Sequence, residues 1–236
     1  MILSRLFKSI KSQDWLAVSL ELLILILGIY LGFQVTEWQN ERQKHQAEAQ
    51  LLSRLVEDLQ NLKQSNQKII DSHSQQLDNF EKAINFAKSS NAWEQEFAIW
   101  RKQIEPVMGY DDPVVELPVY EEIVATAQLS MLKNPELRTQ LTRFKHQLNS
   151  VNESNQSVSI LYGQAYQQAY YQLIDIEMFP ERVHENVDDR RSTLIRSLLM
   201  MRRTVRVVRF FTQDIVDKAE RLEALLIKEK STRDKS

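Results

Sequence analysis

One acidic residue, Glu21, lies inside an almost unbroken apolar run that extends from Leu16 to Val35. Burial in hydrocarbon disfavours an ionised carboxylate, so such an acid is kept neutral or finds a partner. Three readings of Glu21 follow from this. It is a polar clasp to another helix, a proton- or ion-linked site, or an acid near the interface that is protonated or reaches water and has no further role.

Two glycines, Gly28 and Gly32, form a Gly-x-x-x-Gly pair in the same run. Glycines one helical turn apart let the backbones of two membrane helices approach closely. Glu21 lies seven residues before Gly28, and offsets of seven and four residues return to nearly the same helical angle. The three residues therefore predict an interaction face for self-association or for binding another membrane protein.

A run of arginines in the C-terminal part of the chain is the second candidate. Such side chains could meet lipid phosphates at ~1 kcal/mol each. They could equally pair with acidic residues of adjacent helices, which is the reading that we favour. The run comprises Arg190, Arg191, Arg196, Arg202, Arg203, Arg206 and Arg209.

Three tyrosines, Tyr162, Tyr166 and Tyr170, stand one helical turn apart. They could line a ligand pocket or touch lipid headgroups. A stripe of this kind is more often bundle packing.

Signatures of catalysis are sparse. Glu181-x-x-His184 has the spacing of a carboxylate-bridged di-iron motif, but the chain carries no second copy. There is no cysteine, no His-Glu-x-x-His and no glycine-rich phosphate loop. We therefore predict no enzymatic activity, no catalytic residues, no metal, no cofactor and no small-molecule substrate.

The apolar run is long enough to form a transmembrane helix over residues 15–35. About 20 residues at ~1.5 Å each span ~30 Å, the hydrocarbon thickness of a bilayer. Trp15 and Trp38 bracket the run as interface aromatics. The run ends without a small-residue cleavage site, which favours an anchor over a cleaved signal peptide.

Flanking charge predicts how the chain is oriented. Arg5, Lys8 and Lys11 precede the run, whereas the basic residues after it are mixed with acidic ones. Because Lys and Arg favour the cytoplasmic side, residues 1–14 are expected inside. In a bacterium the chain would then lie in the inner membrane, with the rest of it in the periplasm. A cytoplasmic part of about 14 residues leaves no room for an output domain, which disfavours direct signalling.

The remaining chain predicts an elongated, all-α antiparallel bundle or coiled coil. Apolar residues recur at spacings of three and four in three long helices, at 36–90, 134–179 and 188–229. Between the first two helices, residues 91–133 are expected to form short helices at the distal tip, with Trp93, Trp100 and Tyr110 as aromatic anchors or as core. Residues 230–236 are expected to form a disordered tail.

Polar residues also occur on these apolar stripes: Asn66, His73 and Asn155. A polar residue in such a stripe lowers stability but favours one alignment of the helices. We interpret His73 as a buried register residue rather than a ligand.

Two blocks of the sequence resemble a known family. The first runs from Leu20 to Arg42 and contains Gln34-Val35-Thr36-Glu37-Trp38-Gln39-Asn40-Glu41-Arg42; the second runs from Tyr120 to Arg138. Both are similar to an uncharacterised family of single-pass bacterial membrane proteins, a domain of unknown function. That family usually carries Ser-Gly or Thr-Gly where this chain has Thr126-Ala127. The resemblance implies topology and fold, and it supplies no site residues.

The formal net charge of -2 gives no reason to expect nucleic acid as a partner. The predicted partners are the lipid bilayer and either a second copy of the chain or another membrane protein. We therefore expect a scaffold or accessory subunit. The alternative is a sensor-like or ion-linked component that uses Glu21 or a ligand in the bundle.

Overall fold

The structure, a computed structural model, describes residues 15–89, 97–178 and 186–233. The chain divides into two compact units, Met1–Leu51 and Leu52–Ser236, which we describe one at a time. Helix α1 is Trp15–Lys88 and therefore contributes to both.

In the first unit, α1 presents its apolar side chains outward. From Leu20 to Val35 the large apolar residues are exposed, and one 18-residue window has a mean hydropathy of 2.1 with none of its residues buried. This is the one helix in the described ranges that is long and apolar enough to cross a membrane.

The second unit is an all-α bundle, as predicted, and no strand occurs among the residues described. After α1, helix α2 is Phe97–Ile104 and continues into a 3₁₀ turn at Glu105–Val107. Helix α3 is Pro118–Ala125, and a second 3₁₀ turn is Gln128–Met131. The two long helices that follow are α4, Pro135–Met178, and α5, Val187–Arg233.

Local chemistry sets the start of α3 and of α4. Asn134 Oδ1 accepts hydrogen bonds from the backbone N–H of Glu136 (3.0 Å) and Leu137 (3.3 Å), an N-cap directly before Pro135. At α3 the cap comes from another helix, because Asp58 Oδ2 accepts from the N–H of Val119 at 3.0 Å. Both helix starts thus have partners for N–H groups that no intrahelical bond satisfies.

The turn between α3 and the second 3₁₀ turn forms without a glycine. Ala127 has φ 55°, in the left-handed region, and its N–H donates to Val124 O at 3.2 Å. An L-residue in this conformation costs roughly 1–2 kcal/mol. The chain therefore makes this sharp turn at Thr126-Ala127 without a glycine.

The segment between α2 and α4 runs along the bundle. Trp100 packs edge-on against Phe86 with 4.7 Å between ring centroids, whereas Glu122 further along pairs with Arg54. The segment thus passes from the last turns of α1 back to the part of α1 just after Leu52. The sequence predicts 91–133 at the distal tip, whereas the described residues 97–133 run along α1. The difference arises because residues 108–117 are not helical, and extended backbone covers ~3.3 Å per residue instead of ~1.5 Å.

As a consequence, α4 does not form a simple antiparallel hairpin with α1. Tyr120 donates to Thr142 early in α4, and Tyr162 donates to Val107 late in it. Because the intervening segment runs back along α1, α4 has the direction of α1. Helix α5 then returns, as the bonds Gln147 to Asp214 and Ser197 to Gln168 show.

The core of the bundle lies where α1, α2, α4 and α5 meet. Trp100 is fully buried within a cluster of buried apolar side chains. The cluster includes Phe80, Ile84, Ile104, Val107, Tyr162, Leu173, Leu194, Leu198, Met201 and Val205. Helix α5 continues to Arg233, beyond the predicted end at 229, and the hydroxyls of Ser231 and Thr232 donate to Lys228 O in its last turn.

Candidate functional site

The predicted membrane-helix face lies within the first unit. Glu21 is half-buried, and its Oε2 atom is shielded from solvent without a hydrogen-bond partner in the described chain. Trp15 and Trp38 are exposed, and the Arg42 guanidinium lies 5.7 Å from the centroid of the Trp38 ring. A cation over an indole face suits the polar boundary of a membrane.

Gly28 and Gly32 border open space. A Cβ atom built on either glycine meets no atom within 4 Å, and neither glycine has a positive φ. The conformation of α1 therefore does not require glycine at these positions. Glu21, Gly28 and Gly32 lie on one side of α1, which we call the apolar helix face.

In the bundle, the polar residues on the apolar stripes hold a connecting loop. Asn66 Nδ2 donates to Val114 O at 2.9 Å, and Val114 N–H donates back to Asn66 Oδ1 at 3.0 Å. Asn155 Nδ2 donates to Asp112 at 2.7 Å and its Oδ1 accepts from the hydroxyl of Tyr110. The asparagines interpreted as register residues thus bind the segment 110–114 that crosses between the long helices.

Two further side chains bind the start of the same loop. The hydroxyl of Tyr162 donates to Val107 O at 2.8 Å and Gly109 O at 2.5 Å. Gln76 Nε2 donates to Gly109 O as well. Gln76 is not among the residues predicted from the sequence. Its position three residues after His73, on the same helical face, was the available signal.

His73 is fully buried at the centre of this cluster. Neither ring nitrogen has a hydrogen-bond partner in the described chain, and the ring stacks on Tyr110 with 6.3 Å between centroids. Burial lowers the pKa of His73, and Asp111 and Asp112 oppose that shift while Arg209 adds to it. The imidazole is thereby favoured in its neutral form.

The three tyrosines of the stripe have different surroundings: some pack in the core and some line a cleft. Tyr162 belongs to the core cluster and Tyr166 packs against it, and the rings of Tyr166 and Tyr170 stack with 5.9 Å between centroids and an angle of 10°. The second pair lines a cleft of about 460 Å³ together with Arg101 and Glu105. Burial raises the pKa of Tyr162, so its hydroxyl stays protonated and remains a donor.

The arginine run also divides. Arg202 pairs with Glu81 of α1, and Arg191 lies 3.7 Å from Asp188 in its own helix. The side chains of Arg196, Arg203, Arg206 and Arg209 are exposed. Ion pairing thus accounts for part of the run.

Some predicted residues lie outside the described ranges. Trp93, Glu181 and His184 are among them. Within the described ranges, no group of three or more His, Asp or Glu side chains is placed to hold a metal ion.

In comparisons with protein-family models, curated proteins and solved structures, nothing matched this chain. The described residues define a class of protein by their fold. It is an all-α bundle whose first helix, α1, begins with a segment that is long and apolar enough to cross a membrane. The family resemblance stays a prediction.

Proposed function

We propose that this chain is a single-pass membrane protein without enzymatic activity, a scaffold or accessory subunit. Its apolar helix face would bind another membrane protein or a second copy of the chain. The observation that carries the proposal is the open space around Gly28 and Gly32.

The glycines support the proposal because the chain's own fold does not use them. In a helix interior, glycine is less favourable than alanine by about 1 kcal/mol. Neither glycine accommodates a neighbouring side chain or an unusual backbone conformation. Close approach by a second helix gives both positions a role.

Glu21 supports the same face. A protonated carboxyl in hydrocarbon can donate and accept one hydrogen bond each, and Oε2 has no partner among the described residues. Hydrogen bonds between membrane helices contribute about 0.6–2 kcal/mol. A polar group of the partner helix would satisfy the carboxyl and fix the rotation of the two helices.

The orientation belongs to the proposal too. Arg5, Lys8 and Lys11 before the apolar run favour a cytoplasmic N-terminus. The bundle would then face the periplasm of a bacterium, with the chain in the inner membrane. Its role there would be interaction.

Substitution on and off the face tests the proposal. Full-length chain carrying Gly28→Ile and Gly32→Ile is extracted from its native membrane in a mild detergent, and the mass and composition of the complex are measured. The matched control, Leu23→Phe with Ile26→Phe, adds bulk on the opposite side of the helix. We expect the glycine variant to lose its partner and the control to keep it. Equal complexes from both variants would contradict the proposal.

A second candidate function, an ion-linked or sensor-like component, is favoured by the same unpartnered carboxyl of Glu21. Glu21→Gln separates the two. A neutral amide still forms hydrogen bonds, so a clasp keeps the complex intact and functional, whereas ion coupling would be lost with the complex intact. Glu21→Leu should weaken the complex in the first case, by about 3- to 30-fold.

A further inference from the structure

Helix α5 carries an outward row of side chains that the bundle does not use. Arg196, Leu199, Arg203, Arg206 and Phe210 follow one another at spacings of three, four, three and four residues, and all five are exposed. Such spacing places them in one line along a helix. We call this line the basic stripe.

Along the basic stripe, α5 itself and residues 154–174 of the neighbouring α4 carry no acidic side chain. Residues 190–213 of α5 contain seven arginines and no acidic residue, and α4 has no charged residue from 154 to 174. In this part of α5, Arg191 and Arg202 form ion pairs. In the part of the chain that the structure describes, Arg196, Arg203 and Arg206 form no ion pair.

Two features of the stripe are unfavourable for an isolated bundle. Arg203 and Arg206 are like charges three residues apart, which destabilises a helix. Phe210 is 70% exposed and Leu199 is 39% exposed, so apolar surface stays in water between the charges. A partner that brings both carboxylates and apolar side chains would relieve both.

We propose that the basic stripe binds an acidic amphipathic helix of another protein. Carboxylates of that helix would pair with the three arginines, and its apolar residues would cover Leu199 and Phe210. A second copy of this chain does not fit, because a two-fold contact through the stripe would bring arginines against arginines.

The limits of the stripe favour a short helix over a lipid surface. From Arg196 to Phe210 the stripe is ~21 Å long at ~1.5 Å per residue. Exposed acidic residues lie on α5 beyond both ends of the stripe, with Asp188 and Asp189 before Arg196 and with Asp217 and Glu220 after Phe210. An extended anionic membrane would repel these ends, whereas a helix of about four turns would meet the arginines alone.

A designed peptide tests the inference without the natural partner. The probe is a fluorescent 21-residue helix with Glu and Leu alternating at spacings of three and four on one face. Its control has the same composition with the leucines distributed around the helix. Binding to the full-length chain in a neutral detergent is measured by fluorescence anisotropy at 50 mM and 300 mM salt. This inference does not depend on the apolar helix face, so the two proposals fail independently.

Variants locate the binding surface. We expect Arg203→Gln with Arg206→Gln to weaken the amphipathic peptide about tenfold, and Phe210→Ala to weaken it about fivefold. Arg221→Gln with Lys228→Gln removes the same charge from the exposed face of α5 outside the stripe and should change binding less than twofold.

Three results would overturn the inference. The first is no binding by the amphipathic peptide at 100 µM in low salt. The second is equal binding by the two peptides, or equal losses in the stripe and control variants, which would show unspecific attraction. The third is displacement of the bound peptide by micelles that contain phosphatidylglycerol, with no effect of Phe210→Ala, which would identify a lipid site.

Discussion

The apolar segment of α1 and the bundle differ in the hydrogen bonding of their shielded polar groups. In the bundle, Asn66, Asn155 and Tyr162 are buried and each donates a hydrogen bond to the loop between α2 and α3. In the first unit, the shielded oxygen of Glu21 has no such partner in the described chain. The loop-binding side chains of the bundle thus have partners within the described chain, whereas the shielded carboxyl oxygen of Glu21 has none there.

The same leucine truncation should have very different effects in the two regions. Leu198 is fully buried in the core cluster, whereas Leu25 is 48% exposed. Leu198→Ala should lower the free energy of unfolding of the bundle by about 2–5 kcal/mol, since it leaves a cavity. Leu25→Ala should leave it unchanged. Urea unfolding of the full-length chain in mild detergent, followed by circular dichroism, measures both, and equal losses would refute the contrast.

Removing a loop anchor should have the next largest effect. Asn66→Ala deletes the acceptor for the Val114 N–H and the donor to Val114 O, so two partly buried backbone groups lose their partners. A loss of about 1–3 kcal/mol is expected. Hydrogen exchange at the Val114 amide should quicken. The exposed neighbour Gln67→Ala serves as the control, and an unprotected Val114 amide in the unsubstituted chain would argue against the anchor.

The buried His73 ring has no hydrogen-bond partner among the described residues, and its lowered pKa predicts a pH dependence of stability. Because burial lowers its pKa in the folded state, the unfolded chain binds the proton first as the pH falls. Its contribution to stability is complete above about pH 6.5 and declines below it, until the folded-state pKa is reached. The slope is at most about 1.4 kcal/mol per pH unit.

The His73→Gln variant should flatten that slope in unfolding experiments between pH 7 and 5. His146→Gln provides the control, since His146 is exposed on α4. A slope that persists in His73→Gln would assign the dependence to other groups.

The smallest effect concerns the backbone. Ala127 adopts a left-handed conformation that suits glycine, whereas Gly28 occupies ordinary helix that suits alanine. Ala127→Gly should stabilise the bundle by about 0.5–1 kcal/mol, after the greater flexibility of glycine in the unfolded chain is subtracted. Gly28→Ala should not change bundle stability. Thermal unfolding measures the stability of both variants. If Ala127→Gly lowered the stability, the backbone of Ala127 would not be strained.

The helices were predictable because their signals are local. The recurrence of apolar residues at spacings of three and four predicted the long helices. The path of residues 97–134 was not predictable in this way. It depends on pairs such as Asn66 with Val114 and Arg54 with Glu122, which join distant parts of the sequence.

The candidate sites show the same division. Glu21 stood out because a carboxylate is unusual in an apolar run, and Gly28 and Gly32 stood out by their spacing. Which arginines are paired and which are exposed depends on the position of Glu81 and of residues 154–174 of α4, which carry no acidic side chain. No local pattern contains that information.

The most direct test of the central claim is the mass and composition of the full-length chain extracted from its native membrane in a mild detergent. We expect a complex heavier than one chain of 27.8 kDa, which contains either several copies of the chain or a second membrane protein in fixed stoichiometry. A single chain alone, or a chain released from the membrane by an alkaline wash, would contradict it.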